Sequence, residues 1–363
     1  YPAQMAGLDY SVYPHLRGLT VRVGGYHDKL PVLMSRILSQ LAAPHITDQR
    51  FSIARNQYID ALRNSLQERP VGQAAALVQD ALIEGAWTTD EKLEAANDIT
   101  VADLREFAGR FTRQTDATLL VHGNATPAFA LNTAQLASAL LLQDTKPADI
   151  SRSAVRQLPE GETRVVMPVP HPDTGYVRYS QGTSTNMADR ATYRLLAQIV
   201  SSPFYEEIRT QRQLGYVVYA TSFEMLETPA LALVVQSPEA SADDIDNAVT
   251  AFSRRFENTL AAMTPAELER EKQAVTSRLL EQDRQLSQVS QRYWQEIDRS
   301  VDTFDSREQL AEAVRQVSHD DLLTAYRNAM LSYRASLLVT TQDGAEAPAE
   351  IINSLRTQPA IGR

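Results

Sequence analysis

Short apolar runs bounded by polar breaks alternate along this chain with long amphipathic stretches, and the alternation repeats. Thr163-Arg164-Val165-Val166-Met167-Pro168-Val169 and Tyr176-Val177-Arg178-Tyr179-Ser180-Gln181 read as strands. A helical pattern then runs from about Met187 through Leu214, and Tyr216-Val217-Val218-Tyr219 begins a further apolar strand. Leu119-Leu120-Val121 and Leu337-Leu338-Val339 follow polar breaks and read as buried strands. Three separated blocks match one another at nearly constant spacing. Ile46–Phe51 aligns with Met263–Leu268, Ile99–Leu104 with Val317–Leu322, and Ala117–Val121 with Ala335–Val339, at offsets of about 217 and 218 residues. Thr47, Thr264, Thr100 and Ser318 sit where a helix N-cap is wanted, and Asp48, Glu267, Asp103 and Asp321 fall in the first turns, where acidic groups complement the helix dipole.

The repeat gives an α+β fold of two related units, each an antiparallel sheet packed with helices. Residues 1–143 form one domain, 144–162 a polar, Pro-containing linker, 163–345 a second domain, and 346–363 a tail with a short helix near Ile351–Leu355. Ala6-Gly7-Leu8-Asp9-Tyr10-Ser11-Val12 resembles Leu214-Gly215-Tyr216-Val217-Val218-Tyr219, so the first copy is expected to lack roughly forty to fifty residues at its front. The expectation is a fragment cut inside its first unit.

Composition narrows the chemistry. The 363 residues suit two domains, and 43% hydrophobic with 22% charged residues is the balance of a globular protein. No run reaches the ~18 to 20 consecutive apolar residues that cross a bilayer, no secretory leader is evident at the start, and membrane partners are not expected. A formal charge of -10 argues against nucleic acid, whose affinity depends on clustered Lys and Arg. The absence of cysteine removes disulfides, thiolate ligands and thiol nucleophiles, and leaves the compartment open.

A zinc site of the inverted H-x-x-E-H type needs two His one helical turn apart with an adjacent Glu. His15, His27, His45, His122, His171 and His319 offer no such pair, so no metal is expected in this chain. His45 and His319 read as capping or surface residues and His122 as fixing a turn. No G-x-S-x-G elbow or G-x-G-x-x-G loop is present. Gly215 is expected to end the helix in the left-handed conformation. Arg209, on the last turns of that helix, and Tyr216, just after Gly215, can then project from one corner. Together they offer a cationic fork and a phenolic O–H to one acceptor, as an oxyanion or substrate carbonyl requires. The alternative is structural: Arg209 pairs with Glu206 or caps carbonyls, and Tyr216 packs beneath it. On composition alone that alternative leads, because the dipole favours an Arg at a helix end anyway.

Residues 199–220, with the run Arg209-Thr210-Gln211-Arg212-Gln213-Leu214-Gly215-Tyr216, resemble the signature of the second, metal-free half of the pitrilysin and insulysin zinc metallopeptidases, the inverzincins. Ala6-Gly7-Leu8, Gly25-Tyr26-His27-Asp28-Lys29, Ala86-Trp87-Thr88, His122-Gly123-Asn124 and Tyr293-Trp294-Gln295-Glu296-Ile297 extend the likeness over almost the whole chain. The resemblance implies four related α/β-roll domains in a full-length endopeptidase whose halves close around a peptide chamber. This sequence would supply the end of the third domain and all of the fourth. Zn2+ and its ligands would belong to the N-terminal half of the same polypeptide, leaving this chain inactive by itself. Arg209 and Tyr216 would contact the substrate backbone and support the oxyanion, and Phe204, Tyr205 and Gln213 would shape the chamber wall. Strict alternation puts Tyr219 on the face opposite Tyr216, as core, unless a bulge intervenes. A stand-alone non-catalytic partner subunit of a zinc peptidase and a peptide-binding scaffold are the alternatives. Bacterial pitrilysins imply the periplasm, with the cytoplasm as the other possibility.

Overall fold

The structure, a computed structural model, describes residues 2–361 apart from His27, Thr112, Asp144, 147–149 and Ser151. His27 and much of the early linker therefore lie outside the described residues. The chain runs α1 (Pro2–Met5), β1 (Leu8–His15), β2 (Gly18–Gly25), α2 (Leu30–Ala42), α3 (Asp48–Ser65), α4 (Pro70–Leu82), α5 (Thr89–Asp98), α6 (Val101–Phe111) and α7 (Pro127–Leu141). It continues through β3 (Gly161–Pro168), β4 (Thr174–Gln181), α8 (Met187–Tyr205), β5 (Val217–Ser222), β6 (Ala230–Ser237), α9 (Ala242–Ala261) and α10 (Pro265–Leu279). It closes with α11 (Leu286–Asp298), α12 (Ser306–Gln316), α13 (His319–Tyr326), β7 (Ala335–Gln342) and α14 (Ala349–Arg356). The repeat-matched N-caps form as the sequence indicates. Thr47 accepts the Arg50 N–H, and Thr264, Thr100 and Ser318 each close a reciprocal box with the acidic residue three positions on.

Two compact units result. One comprises the chain to Arg63, Asp90–Ser153 and Arg284–Gln295; the other comprises Asn64–Thr89, Ala154–Asp283 and Glu296 onward. By repeat offset α4 and α11 are counterparts, yet α4 belongs to the second unit and most of α11 to the first. The contiguous domains read from the sequence thus differ from the units, each of which takes in a helix encoded within the other copy.

In the second unit a five-stranded sheet has the order β3-β7-β4-β6-β5. All neighbours are antiparallel except β3 and β7, which run parallel, a departure from the expected antiparallel sheet. Both faces are covered. Leu231, Leu233 and Val235 of β6 turn toward α8, α9, α10, α12 and α13, while Ala230 and Val234 join the core under α4 and α14. A strand buried on both faces is apolar throughout, as in Ala-Leu-Ala-Leu-Val-Val of β6.

The linker and tail do not run free. Val155, Leu158, Ile352, Leu355 and Ile361 are buried in the α4 core, Gln157 N–H donates to the Pro359 carbonyl (2.8 Å), and Ile361 N–H donates to the Val155 carbonyl (2.9 Å). Their apolar residues finish the sheet's second face, which overrides the polar composition around them. In the first unit β1 and β2 form an antiparallel hairpin, the counterpart of β5 and β6. The expected strand at Leu119-Leu120-Val121 is absent, and the segment is irregular. Its counterpart β7 is paired on both sides, by β3 and β4, and among the described residues of 1–143 the only sheet is the β1–β2 hairpin, which offers no such partners.

Candidate functional site

The corner that carries Arg209 and Tyr216 is built by the end of α8. Asn186 caps its start by accepting the Asp189 N–H (2.8 Å). The backbone then widens into a π-helical segment, Glu206–Gln211, just after Pro203, which lacks an N–H to continue the regular ladder. Phe204 and Ile208 stay in the core while Arg209 turns outward. Leu214 N–H donates to the Ile208 carbonyl (3.0 Å), closing the corner. Its left-handed residue is Gln213 (φ 54°), and Gly215, expected to take that role, has no positive φ. Gly215 is needed for a different reason: a Cβ there would lie 2.5 Å from the Gln236 carbonyl oxygen of β6. The same architecture recurs after α13, where a π segment, Arg327–Leu331, leads to Tyr333 at φ 48° and then β7.

Arg209 donates through Nη1 to the carbonyl oxygen of Tyr216, and its guanidinium lies 5.6 Å from the Tyr205 ring centroid. The bond ties the two site residues together, and uses one of five guanidinium donors. Arg209 does bond a carbonyl, as the structural alternative required, but Tyr205 lies against it and Tyr216 stands apart, 46% exposed. Its hydroxyl donates to Asp173 Oδ2 at 2.7 Å, and Gln236 Nε2 reaches both that oxygen (2.8 Å) and the Tyr216 hydroxyl oxygen (2.6 Å). The hydrogen bond to Asp173 is the main cause that holds the Tyr216 phenol above its ordinary acidity range. Asp173 is pushed up by desolvation but brought below the usual carboxylate range overall by Gln236, Tyr216 and nearby His171.

The other wall residues divide. Tyr205, against which Arg209 lies, and Gln213 are both exposed. Phe204 is fully buried, edge-on to Phe252 with centroids 5.5 Å apart, and lines no surface; it falls on the inward side of α8. Tyr219 is 42% exposed and is not core. Tyr216 N–H donates to the Gln236 carbonyl while the ladder pairs Val217 with the same Gln236. Two residues opposing one make a bulge, and the bulge breaks the alternation from Tyr216. Asp173 and Gln236 were not anticipated from the sequence, where a polar residue at the end of an apolar run and an Asp in a Pro-flanked loop give no chemical signal.

Among the described residues no group of three His, Cys, Asp or Glu is arranged to hold a metal ion. His122 Nδ1 lies 2.8 Å from Ser290 Oγ, and His319 Nε2 lies 2.8 Å from the Leu260 carbonyl oxygen. Both are engaged in packing contacts. No helix among the described residues is long and apolar enough to cross a membrane.

This is a mixed α/β fold of helices packed on a sheet, of the kind found in inactive peptidase lobes. Two family models match it: the middle or third domain of peptidase M16 over residues 1–95, and the C-terminal lobe domain 4 of PqqF-like PQQ synthase over residues 195–294. Human insulin-degrading enzyme is 28% identical over 90% of this chain and 33% of its own length, and the A-factor-processing enzyme of Saccharomyces cerevisiae is 26% identical over 93% and 34%. The chain therefore spans about a third of the curated relatives it matches. Crystalline pitrilysin superposes with a TM-score of 0.87 at 20% identity, covering 99% of this chain and 40% of pitrilysin. A peptidase M16 inactive domain from Pseudomonas fluorescens gives 0.69 at 14% identity, covering 95% of this chain and 83% of that one. The chain is thus similar to M16 peptidases and, in fold, to their inactive half.

Proposed function

We propose that this chain is the non-catalytic C-terminal half of a zinc-dependent endopeptidase of the pitrilysin and insulysin type. It closes the peptide chamber and presents Arg209 and Tyr216 to the substrate backbone. The observation that carries this reading is the corner itself. The Arg209 guanidinium, held on the Tyr216 backbone carbonyl, and the half-exposed Tyr216 phenol stand at one corner before β5, where Tyr205 and Gln213 are also exposed. A scissile peptide carbonyl becomes an oxyanion when water adds to it, and fixed N–H and O–H donors lower the energy of that state more than of the neutral carbonyl. Zinc, expected in the N-terminal half, would supply an activated water there; this chain contributes donors and a wall. We take the periplasm as the working compartment, from the resemblance to bacterial pitrilysins, with the cytoplasm as the alternative.

A second reading rests on length. The chain covers 83% of a solved inactive domain from P. fluorescens, so its size also suits a separate partner subunit, which would follow the same chemistry.

The test is cleavage of a fluorogenic peptide by this chain alone and after mixing with the separately produced zinc-bearing half, with and without chelator. Chelator-sensitive activity only in the mixture is expected. Metal-dependent activity of this chain alone, abolished by substituting one of its own His, would refute the proposal.

A further inference from the structure

In this structure the hydroxyl proton of Tyr216 is not free for a peptide carbonyl. It is donated to Asp173 Oδ2, and the phenol oxygen accepts from Gln236, so all three groups close a triangle with sides of 2.6 to 2.8 Å. Gln236 is fully buried, yet its own Oε1 has no hydrogen-bond partner among the described residues. An unpaired buried amide oxygen costs about 1–3 kcal/mol. The side chain thus sits where folding alone would not favour a glutamine, and both donor contacts it makes serve Asp173 and Tyr216.

Asp173 itself is set by the loop between β3 and β4. Its backbone N–H donates to His171 Nδ1 (3.0 Å), and it lines an open cavity of about 460 Å³ together with Pro170, His171, Thr341 and Gln342. The carboxylate is consequently fixed from behind and reachable from solvent. The charged and titratable groups around the phenol are Asp173 and His171 from this loop, Arg209 from the π segment, and Arg69, whose charge is felt at Tyr216 from the start of α4. Of these, Asp173 accepts the phenol's hydrogen bond.

We propose that Asp173, braced by Gln236, is a positioning residue that latches Tyr216 in a resting state, so that a peptide carbonyl engages the phenol only by displacing it from this carboxylate. The proposal rests on the reading of Tyr216 as a substrate-contacting donor. It goes further in predicting that the latch opposes productive binding. A bond to a carboxylate is roughly twice as strong as one to a neutral acceptor, so neutralising Asp173 weakens the latch while keeping its shape.

Two measurements test it. In this chain, titration of the tyrosine ring carbon signals by NMR should show the Tyr216 phenol becoming more acidic in Asp173→Asn, and returning to its original behaviour in Asp173→Glu if the longer carboxylate restores the contact. In the assembled peptidase, Asp173→Asn should raise kcat/KM for a fluorogenic peptide about 3- to 10-fold, and this gain should vanish on a Tyr216→Phe background. An unchanged phenol titration overturns the latch. So does a loss of activity in Asp173→Asn, or an equal effect with and without the Tyr216 hydroxyl. If Tyr216→Phe alone leaves kcat and KM untouched, the underlying reading of Tyr216 has failed, an outcome separate from failure of the latch.

Discussion

At Gly215 the chain passes so close to β6 that any side chain would strike the Gln236 carbonyl at 2.5 Å, with Val235 Cγ1 at 3.0 Å. The obstacle is backbone in the middle of a sheet, which cannot step aside. Gly215→Ala is expected to destabilise the chain by about 1–3 kcal/mol, read as a lower urea midpoint at unchanged slope. The sequence marked Gly215 as special but for the wrong physical cause: a glycine after a helix is usually its left-handed cap, and here Gln213 takes that conformation. Phe204 shows the same limit. One position in sequence separates it from exposed Tyr205, and which of the two faces outward depends on the phase of α8, which a run of mixed aromatic residues does not fix. The spacing of Arg209 and Tyr216 across a helix end indicated a shared corner, but on the residues alone the structural alternative led, and the family resemblance made them site candidates. Asp173 was not legible, because its role depends on a loop 43 residues away.

At the scale of elements, β4 carries a charge through the core. Arg178 is fully buried and donates to Glu162 of β3, to Asp246 of α9 and to the Tyr176 hydroxyl (2.8 Å), while Arg164 donates to Asp246 at 2.7 Å. The arrangement pins the edge of the sheet to α9. Removing one partner strands the rest, and Asp246→Ala is expected to cost about 3 kcal/mol or more by denaturant titration. Desolvation raises the Asp246 pKa, but Arg178, Arg164 and Tyr176 outweigh it and hold it below the usual carboxylate value. The ionised form is thus the one favoured by folding. Its stabilisation is present above the unfolded carboxylate pKa of about 4 and is lost as pH falls below it. The wild type should therefore lose more stability between pH 5 and 3 than Asp246→Ala does; equal losses would assign the acid sensitivity elsewhere. Strands and capped helices were readable wherever the pattern was local. The parallel pairing of β3 with β7 and the irregular run at Leu119-Leu120-Val121 were not, since both depend on which strand lies alongside, a property no window of sequence contains.

At the scale of the whole molecule, the duplication is readable from offsets between copies, whereas the exchange of α4 and α11 between the units is not. Val71, Ala74, Leu77, Val78, Ala81 and Leu82 of α4 are all buried in the core of the second unit. A fragment of residues 154–363 accordingly loses α4 and leaves one face of its sheet covered only by the linker and tail. It is expected to aggregate or to bind a hydrophobic dye, and to recover a cooperative thermal transition when a peptide of residues 64–89 is added. A fragment that folds cooperatively without the peptide would show that the exchanged helix contributes little. The same interleaving means that substitutions at the site are best read in the intact chain.

Whether this chain serves catalysis through Tyr216, as proposed, is decided by steady-state kinetics of Tyr216→Phe in the assembled peptidase. The phenol donates mainly in the transition state, so kcat should fall by an amount on the order of 2 to 4 kcal/mol with a smaller change in KM. An unchanged kcat would contradict the claim and leave Tyr216 as a residue that only fastens the corner between α8 and β5.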